Sequence, residues 1–387
     1  MRKGWEYKKL GEIGKIVTGS TPSTKDESNY TPREYCFVKP SDLPSQGIGD
    51  IEETEYYVSK VGLSKSRVLP AGSVLVSCIG SIGKIGILTK EACSNQQINA
   101  IIPQGVIDSR FIAYSLYAQR FVLESIANAP VVPIINKTDF SKIRIGIPPK
   151  STQLAIVSEL DKINELIRLK KEQLKDFDNL AQSLFYEMFG DPVENEKGWE
   201  VKTFGEIGSV ERGAGISKKD FVKEGLPCIH YGQLHTILGP RTTKHFTSIP
   251  HNLLPKYKIA HTGDLVMAIT SEDVEGSCKS TVWLGDYDII VGSDAAIFHH
   301  KQDGTFLSYY TMTKAFFNEK AKYAKGFKVT HISAKEIEKI PVYLPPLSLQ
   351  RFFAQRIEQI EREKSEVQKS IQDLETLLAS RMQYWFE

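Results

Sequence analysis

The chain has 387 residues, of which 41% are hydrophobic and 25% charged, and its formal net charge is +2 at pH 7. This composition is typical of soluble globular protein, and no apolar run approaches the roughly 20 residues needed to cross a bilayer. Five scattered cysteines without a Cys-x-x-Cys pair, and a basic start with no apolar stretch behind it, predict a cytoplasmic protein with reduced thiols and no secretory signal.

Two copies of one plan, a globule followed by a long helix, account for the whole chain. Residues 198–208 repeat residues 4–14 with most positions identical, and each long helix begins with Pro-Pro-x-x-x-Gln. A repeat of nearly 200 residues indicates a duplicated domain. The predicted segments are 1–146 (first globule), 147–197 (central helix), 198–343 (second globule) and 344–387 (C-terminal helix).

Each globule is predicted to be α+β. Residues 70–77 in the first globule and 260–267 in the second have a turn followed by a short apolar run, which predicts a buried strand. Residues 108–114 and 303–309 each open with an aspartate suited to cap the amphipathic helix that follows.

The loops between these shared elements differ, and all eight histidines fall in the second globule. A shared frame with different loops predicts two modules that do one kind of job on two different targets. Basic residues outnumber acidic ones by 18 to 14 in residues 1–146 and by 18 to 16 in 198–343, whereas both helical segments are acidic. Basic globules are compatible with binding to nucleic acid.

Both long helices carry apolar residues at alternating spacings of three and four, which predicts a coiled-coil seam over about five heptads. Lys170, Lys364 and Arg381 interrupt the seam, which costs stability but can fix the register. Ser151 and Ser348 are the predicted N-caps. The predicted seam residues are Leu160, Ile163, Ile167, Leu174, Phe177, Leu184, Ile357, Ile360, Val367, Ile371, Leu374 and Leu378.

A helix of roughly 37 residues is about 55 Å long at 1.5 Å per residue, and an apolar seam of that length needs a partner. The sequence favours its own copy, packed antiparallel, which would relate the two globules by an approximate twofold axis. Gly190 and Pro192 are predicted to end the first helix.

Several motifs in this plan resemble those of the specificity subunits of type I restriction–modification enzymes. They are the opening Gly-Trp-Glu-x-Lys-x-Leu-Gly-Glu-Ile from Gly4, Thr-Gly-Ser-Thr-Pro from Thr18, Phe-Val-Lys-Pro-Ser-Asp-Leu from Phe37, Ser-Asn-Gln-Gln from Ser94, and the Ile-Pro-Pro helix start from Ile147. The resemblance covers essentially the whole chain. The second globule departs from it, since it lacks a good Gly-x-Thr-Pro loop and an Asn-Gln-Gln triplet.

The resemblance implies two target recognition domains separated by two long helices packed as an antiparallel coiled coil. It implies that each domain reads one half of a bipartite, gapped site on double-stranded DNA. The helices would set the spacing and dock two adenine-methyltransferase subunits, with restriction subunits joining through them. No catalysis, cofactor, metal or membrane is expected for this chain, whereas S-adenosylmethionine, ATP and Mg²⁺ are expected in the partner subunits.

Base edges in DNA grooves are read by Arg, Lys, Asn, Gln, Ser and His side chains. Loop residues of related polar types are therefore the predicted DNA contacts. In the first globule they are Thr18, Ser20, Thr21, Lys39, Ser41, Ser77, Ser81, Gln96 and Gln97. In the second globule they are Arg212, Lys218, Lys219, His230, Tyr231, Gln233, Ser271, Lys325 and Lys328.

Other chemistry has little support in the sequence. The Gly-Ser-Ile-Gly-Lys stretch from Gly80 is similar to a phosphate-binding loop but lacks its spacing and the Ser or Thr after the lysine. An Asn/Asp-Pro-Pro-aromatic motif, a Gly-x-Ser-x-Gly elbow and histidines at zinc spacing are all missing. Two alternatives stay open: a coiled-coil scaffold whose globules bind protein or carbohydrate, and the recognition subunit of a related system that fuses nuclease and methyltransferase in its partner.

Overall fold

A computed structural model of the chain describes residues 2–127, 133–251, 257–326 and 329–387. The chain divides into two compact units: unit 1 is Met1–Lys171 with Lys369–Glu387, and unit 2 is Glu172–Gln368. Each unit contains one globule and half of each long helix. The predicted four-segment division has its boundaries at the helix ends and stays a prediction. In the described part of the chain, no helix is both long and apolar enough to span a membrane.

The first globule and the helix that follows it contain short strands, short helices and one long helix. The strands are β1 (Glu6–Lys9), β2 (Gly14–Thr18), β3 (Tyr35–Val38), β4 (Ile48–Ile51), β5 (Tyr57–Val58), β6 (Val74–Ser77), β7 (Ile85–Leu88), β8 (Cys93–Ser94), β9 (Ile98–Pro103) and β10 (Arg144–Ile147). The helices are α1 (Leu10–Ile13), α2 (Lys60–Ser64), α3 (Ser109–Ala118), α4 (Arg120–Ile126), α5 (Lys137–Lys142) and α6 (Lys150–Phe189).

A five-stranded sheet in the order β2-β9-β6-β7-β4 forms the centre of unit 1, and only its β4–β7 pair is parallel. Successive side chains of a strand point to opposite faces. Val74 and Val76 of β6 therefore pack with residues of α3 and α5. Leu75 packs on the other face, with residues of the small sheet β5-β3-β8. A strand buried on both faces needs a continuous apolar run, and β6 has one.

The second globule and its helix also contain short strands, short helices and one long helix. The strands are β11 (Glu200–Thr203), β12 (Gly208–Arg212), β13 (Leu226–Ile229), β14 (Arg241–Thr242), β15 (Thr247–Ile249), β16 (Lys258–Ala260), β17 (Leu265–Ala268), β18 (Thr270–Ser271), β19 (Ser280–Trp283), β20 (Ile289–Val291), β21 (Ala295–His300), β22 (Thr330–His331) and β23 (Pro341–Leu344). The helices are α7 (Phe204–Ile207), α8 (Tyr231–Thr236), α9 (Gly304–Tyr310), α10 (Lys314–Ala321), α11 (Ala334–Ile337) and α12 (Leu347–Phe386).

The central sheet of unit 2 has the order β12-β21-β17-β19-β14, and again only the last pair is parallel. Leu265 and Met267 of β17 pack on one face with residues of α9 and α10. Val266 and Ala268 pack on the other, with residues of β13 and β20. The central sheets of the two globules thus share strand order and strand direction, each with a smaller sheet packed on one face. The predicted α+β duplication is confirmed.

One detail of the predicted repeat is wrong by a residue. The alignment of 70–77 with 260–267 matches Val74 to an aspartate, whereas the sheets match it to Leu265. Val74 pairs with Ile101 of β9, and Leu265 pairs with Phe298 of β21. The strands β9 and β21 occupy the same place in the order of their sheets. The physical reason is that a one-residue slip would turn the apolar residues of the strand to the opposite face.

The two 40-residue helices α6 and α12 pair antiparallel within each unit. In unit 1, Lys171 Nζ lies 2.8 Å from a carboxylate oxygen of Glu375. In unit 2, Lys364 Nζ lies 2.7 Å from Asp178. The partner's residue number falls as the number on α6 rises, which is the mark of an antiparallel pair.

All twelve residues of the predicted seam are buried or half-buried. The charges that interrupt the seam have partners in the structure. Half-buried Lys364 also contacts Glu361 at 3.2 Å, and the guanidinium of Arg381 contacts the carboxylate of Glu159. Trp385 Nε1 donates to the same carboxylate at 2.9 Å. Because a charge near a seam is costly unless it is paired, these contacts explain how the helix pair accommodates it.

The predicted N-caps of the long helices are wrong. Ser151 and Ser348 lie inside the first helical turn, because both helices begin earlier than expected. The carbonyls of Pro149 and Pro346 accept the first N–H bonds of the two helices instead. At the other end of α6, Gly190 ends the helix as predicted, and its N–H bonds back to the last turn.

Candidate nucleic-acid interface

One edge of unit 1 collects the ends of β2, β3, β6 and β8. Backbone hydrogen bonds across these strand ends hold the edge together: Asn95 N–H donates to the carbonyl of Val38 (3.1 Å), and Cys78 N–H donates to that of Gln97 (2.7 Å). Because the strands are far apart in sequence, the fold brings together loops that the sequence alone leaves separate. Most of the predicted DNA contacts of the first globule lie on these loops.

Side chains at this edge are fixed by one another. Thr18 Oγ1 donates to Asn99 Oδ1, and exposed Thr21 Oγ1 donates to Gln96 Oε1, both at 2.7 Å. Gln97 is half-buried. Ser20, between the two threonines, is half-buried, and its N–H bonds to the end of β8. The edge is therefore a preorganised polar surface.

The loops after β3 and β6 complete the edge. Lys39 Nζ lies 3.0 Å from the centre of the Tyr56 ring, a cation–π contact that holds the charge near the surface. Ser41 and Ser81 are exposed. Ser77 is fully buried, and its hydroxyl contacts the carbonyl of Ser81, so it supports this loop from beneath.

Unit 2 builds the same edge with different residues. A Cβ on Gly19 would lie 2.0 Å from a carbonyl oxygen of segment 95–97, and one on Gly213 would lie 2.2 Å from a carbonyl oxygen of segment 292–294. Only glycine permits so close an approach of two backbones. Gly-Ser-Asp in 292–294 therefore stands where the first globule has Asn-Gln-Gln, which explains why the sequence comparison found no second triplet.

The turn after β3 also has a counterpart. Lys39 N–H donates to Asp42 Oδ2 (2.7 Å), and His230 N–H, directly after β13, donates to Gln233 Oε1 (2.8 Å). The backbone turn is the same, while an ammonium and a carboxylate are replaced by an imidazole and an amide. The predicted contacts His230 and Gln233 therefore lie in unit 2 where the Lys-Pro-Ser-Asp motif lies in unit 1.

His230 is an uncharged member of this edge. Burial lowers its pKa, and the neighbouring charge of Lys218 lowers it further. Its Nδ1 accepts a hydrogen bond from the N–H of Gly232 (3.2 Å), which requires that nitrogen to be unprotonated. The ring of Tyr231, another predicted contact, lies 4.7 Å from the imidazole. The two rings are tilted by 48° to one another beside the strand ends.

The other predicted contacts of unit 2 differ in how free their charges are. Lys218 and Lys219 lie in an exposed 3₁₀ turn. Exposed Arg212 donates from Nε to the carbonyl of Ser293 (2.8 Å), which fixes its guanidinium at the edge. Ser271 is buried.

Lys325 is already engaged in an ion pair. Its Nζ lies 2.5 Å from Glu336 Oε1, and this contact, together with hydrogen bonds from Ser333, lowers the pKa of the carboxyl to about 2. A DNA phosphate would therefore have to compete with Glu336 for this cation. Lys328 lies outside the described residues, so its predicted contact remains a prediction.

A groove of about 1190 Å³ opens in unit 2 beside this edge. Its lining includes Tyr231, Ser271, His235 and Lys279, together with residues of α10. Among the described residues, no three His, Cys, Asp or Glu side chains are grouped so as to hold a metal ion.

Two lysines that the sequence analysis did not select lie at these edges. Lys84 Nζ donates to the carbonyl of Pro40 (3.2 Å) in unit 1, and Lys279 Nζ donates to that of His235 (3.3 Å) in unit 2. Each lysine directly precedes a strand of the central sheet. A lysine directly before an apolar strand was therefore the feature of the sequence that could have identified both residues. The loops before the two lysines differ in length, so a direct alignment of the globules does not match them.

The chain has clear relatives among known families. The family described as type I restriction modification DNA specificity domain matches residues 2–176 and 196–376. The chain is 27% identical over 256 residues to the type I restriction enzyme MjaIX specificity subunit of Methanocaldococcus jannaschii, covering 61% of this chain and 59% of that protein. It is 33% identical over 153 residues to the HindI specificity subunit of Haemophilus influenzae, covering 38% and 33%.

A third relative matches over nearly its whole length. The chain is 22% identical over 412 aligned positions to the MjaVIII specificity subunit of Methanocaldococcus jannaschii, covering 97% of this chain and 92% of that protein. The chain thus spans less than two thirds of the first two relatives and almost all of the third.

Solved structures with the same fold include a chain from a study of complex assembly and conformational transition of the type I R-M system. It has a TM-score of 0.62 at 18% identity and covers 100% of this chain and 98% of that chain. The S subunit of the type I restriction–modification system from M. genitalium has a TM-score of 0.55 at 13% identity, covering 98% and 95%. At these identities the likeness shows the fold alone.

Proposed function

The chain belongs to the family of type I restriction–modification specificity subunits, with two copies of the DNA specificity domain, and we propose that each globule reads one half of a bipartite, gapped DNA site. One observation carries the proposal: the same strand-end turn presents Lys39 and Asp42 in unit 1 and His230 and Gln233 in unit 2. Backbone contacts position a protein on DNA, while side chains at base edges specify the sequence. A retained frame with changed side chains fits two readers of different half-sites.

The chemistry of the two edges fits different bases. Lysine and arginine donate to guanine, glutamine pairs with adenine, and an aspartate accepts from cytosine. Unit 1 offers Lys39 and exposed Gln96, and unit 2 offers exposed Arg212. These side chains supply donors and acceptors suited to a major groove.

The long helices have the proposed role of setting the gap between half-sites and docking two adenine-methyltransferase subunits, with restriction subunits joining through them. Apolar side chains left exposed on the helix pair support a docking role, since Leu166, Leu169 and Leu377 are 47%, 46% and 45% exposed. The chain itself would act without catalysis. S-adenosylmethionine, ATP and Mg²⁺ would be held by the partner subunits, and the complex would work on DNA in the cytoplasm.

The experiment that tests the proposal is co-expression of the chain with a methyltransferase gene of the same restriction–modification system in a host that lacks both. Sequencing that detects modified adenines across the genome is the readout. We expect a gapped motif with one methylated adenine on each strand. A soluble complex that adds no methylation would contradict the proposal.

Variants at one edge make the test sharper. The double variant Lys39→Ala, Gln96→Ala is expected to change or relax one half-site and leave the other intact, because each globule reads its own half. Lys90→Ala serves as the control, since that lysine is exposed and paired with Glu53 at 2.7 Å. A loss of both half-sites together would argue against two independent readers.

A further inference from the structure

Lys84 and Lys279 occupy the same position in the two globules. Each lies one residue before the strand that follows the central strand of its sheet, β7 in unit 1 and β19 in unit 2. The carbonyl of Lys84 accepts from Ser77 N–H (3.0 Å), and that of Lys279 accepts from Ala268 N–H (2.9 Å). Ser77 and Ala268 are the last residues of β6 and β17, so the match is set by sheet register.

The two ammonium groups also have equivalent hydrogen-bond partners, each within its own globule. Each donates to a backbone carbonyl of the segment that follows β3 or β13, at 3.2 Å for Lys84 and 3.3 Å for Lys279. Within the described residues neither ammonium forms an ion pair with a carboxylate. A neutral carbonyl orients the cation but does not neutralise it, so both charges remain available at the recognition edges.

The backbone just before each lysine is held in the left-handed conformation. Gly83 has φ +80°, and Cys278, at the same position in unit 2, has φ +56°. The loop of unit 2 is four residues longer, and it has lost the glycine, yet the conformation is retained. A non-glycine residue in this region is strained, so the retained conformation points to a constraint on the geometry that follows it.

A buried lysine supports this unfavourable conformation in unit 2. Lys320 of α10 is 4% exposed, and its Nζ donates to the carbonyls of Glu275 (2.7 Å) and Ser277 (2.5 Å), the latter directly before Cys278. Cys278 itself is buried in the core. The loop is therefore anchored at the residue that aims Lys279.

We propose that Lys84 and Lys279 are a matched pair of DNA phosphate contacts, one for each half-site, and that Lys320 is a positioning residue for the second. The proposal rests on the function proposed above and divides each edge into two parts. In each globule one lysine contacts the phosphate backbone, and the neighbouring loops read bases.

The pattern of retention distinguishes a phosphate contact from a base contact. Residues that read different half-sites are expected to differ between the globules, as Lys39 and His230 do. A contact to phosphate carries no sequence information, so the same residue serves both globules. The ammonium of lysine is a compact point charge suited to this role.

The test is the salt dependence of DNA binding by the assembled specificity–methyltransferase complex. A fluorescent duplex carrying the methylated motif is titrated at several salt concentrations between about 50 and 300 mM. The slope of log K against log salt is about −0.9 for each neutralised phosphate. We expect Lys84→Met and Lys279→Met each to reduce the slope by about 0.9, and the double variant by about 1.8. The methylated motif should stay unchanged.

Matched controls separate this contact from general charge loss. Lys90→Met in unit 1 and Lys322→Met in unit 2 remove exposed lysines already paired with Glu53 and Glu319, so the slope should not change. Lys84→Arg and Lys279→Arg keep the charge and should keep the slope. Wild-type slopes for both Met variants, or a changed motif, would overturn the proposal. A wild-type complex that binds no specific site would instead remove the function on which it rests.

The role of Lys320 has its own readout. Lys320→Met should reduce the slope as Lys279→Met does, and combining the two should cause no further reduction, because both act through one contact. Lys320→Arg should keep the slope. If Lys320→Met lowers the thermal midpoint but leaves the slope unchanged, Lys320 supports folding only, and its positioning role is overturned.

Discussion

Gln153 Oε1 accepts a hydrogen bond from the backbone N–H of Asp108 at 3.1 Å, which ties the start of α6 to the cap of α3. The amide nitrogen of the same side chain donates to the carbonyl of Pro148 (3.0 Å). The second copy repeats this bond, with Gln350 accepting from Asp303 N–H at 3.0 Å. The Pro-Pro-x-x-x-Gln motif is therefore a joint, in which a buried amide fastens each long helix to its globule.

We expect Gln350→Leu to lower the free energy of unfolding by about 1–3 kcal/mol. Gln350 is fully buried, and leucine would leave the N–H of Asp303 and a proline carbonyl without partners. Urea unfolding followed by circular dichroism measures the change. Gln359→Leu, at an exposed position of the same helix, should change stability by less than about 0.5 kcal/mol. Equal effects of the two variants would show that the joint contributes little.

The features predicted correctly from the sequence depend on neighbours in the chain. Asp108 and Asp303 were predicted as caps, and each accepts two N–H bonds from the first turn of its helix. The helix pair was predicted from a periodicity of apolar residues that repeats along each helix and needs no knowledge of the rest of the fold. The predicted serine caps are wrong because the carbonyls of Pro149 and Pro346, two residues earlier, accept the first N–H bonds of the helices, an alternative that composition does not reveal.

The candidate site could be predicted only in part, since it is assembled by strand order. The equivalence of Lys39 and His230 follows from the place of β3 and β13 in their small sheets, and the two residues share no chemistry. Lys84 and Lys279 were missed because loops of different length precede them. Ser77 was predicted as a DNA contact, but it is buried beneath the loop that contains Ser81. The sequence around Ser77 does not show that this loop covers it.

Gly83→Ala is expected to destabilise the chain by about 1–2 kcal/mol. A Cβ there would meet its nearest atom, on Arg120, at an ordinary 3.6 Å, so the cost comes from the left-handed backbone alone. Gly83→Asn should cost less, because asparagine tolerates this conformation. Thermal unfolding measures both variants. Gly239→Ala is the control: its Cβ would meet nothing within 4 Å and its φ is not left-handed. Equal costs for alanine and asparagine would contradict the backbone explanation.

His300 is expected to make the chain less stable in mild acid. Burial lowers its pKa from 6.5 to about 4, and among the described residues its Nε2 has no hydrogen-bond partner. Between pH 6.5 and 4 the unfolded chain binds a proton that the folded chain does not. The contribution of neutral His300 to the free energy of unfolding is therefore fully present above pH 6.5 and is lost as the pH falls toward 4.

The measurement is the free energy of unfolding in urea at pH 7, 5.5 and 4.5. His300→Gln should flatten the loss between pH 7 and 4.5, because the variant has no imidazole to protonate. His261→Gln gives the opposite sign: a hydrogen bond to Asp288 raises the pKa of His261, so its contribution is present in acid and lost as the pH rises. Parallel curves for wild type and His300→Gln would contradict the assignment.

Lengthening both long helices by one heptad tests whether they set the gap between the half-sites. Seven residues inserted after Lys171 and seven after Gln368 keep the apolar seam in register, because the seam repeats every seven residues. Each helix grows by about 10 Å at 1.5 Å per residue. That length corresponds to about three base pairs at 3.4 Å each.

The methylated motif of the lengthened protein should keep both half-sites and gain about three base pairs of gap, because the readers are unchanged and only their separation grows. An insertion of four residues in each helix is the control for register, since it shifts the seam and locally unwinds the pair. It should lower the thermal midpoint more than the heptad insertion does. If the heptad variant methylates the original gap, the helices do not set the spacing. If its half-sites change, the helices take part in reading the bases, and the division of roles between globule and helix is wrong.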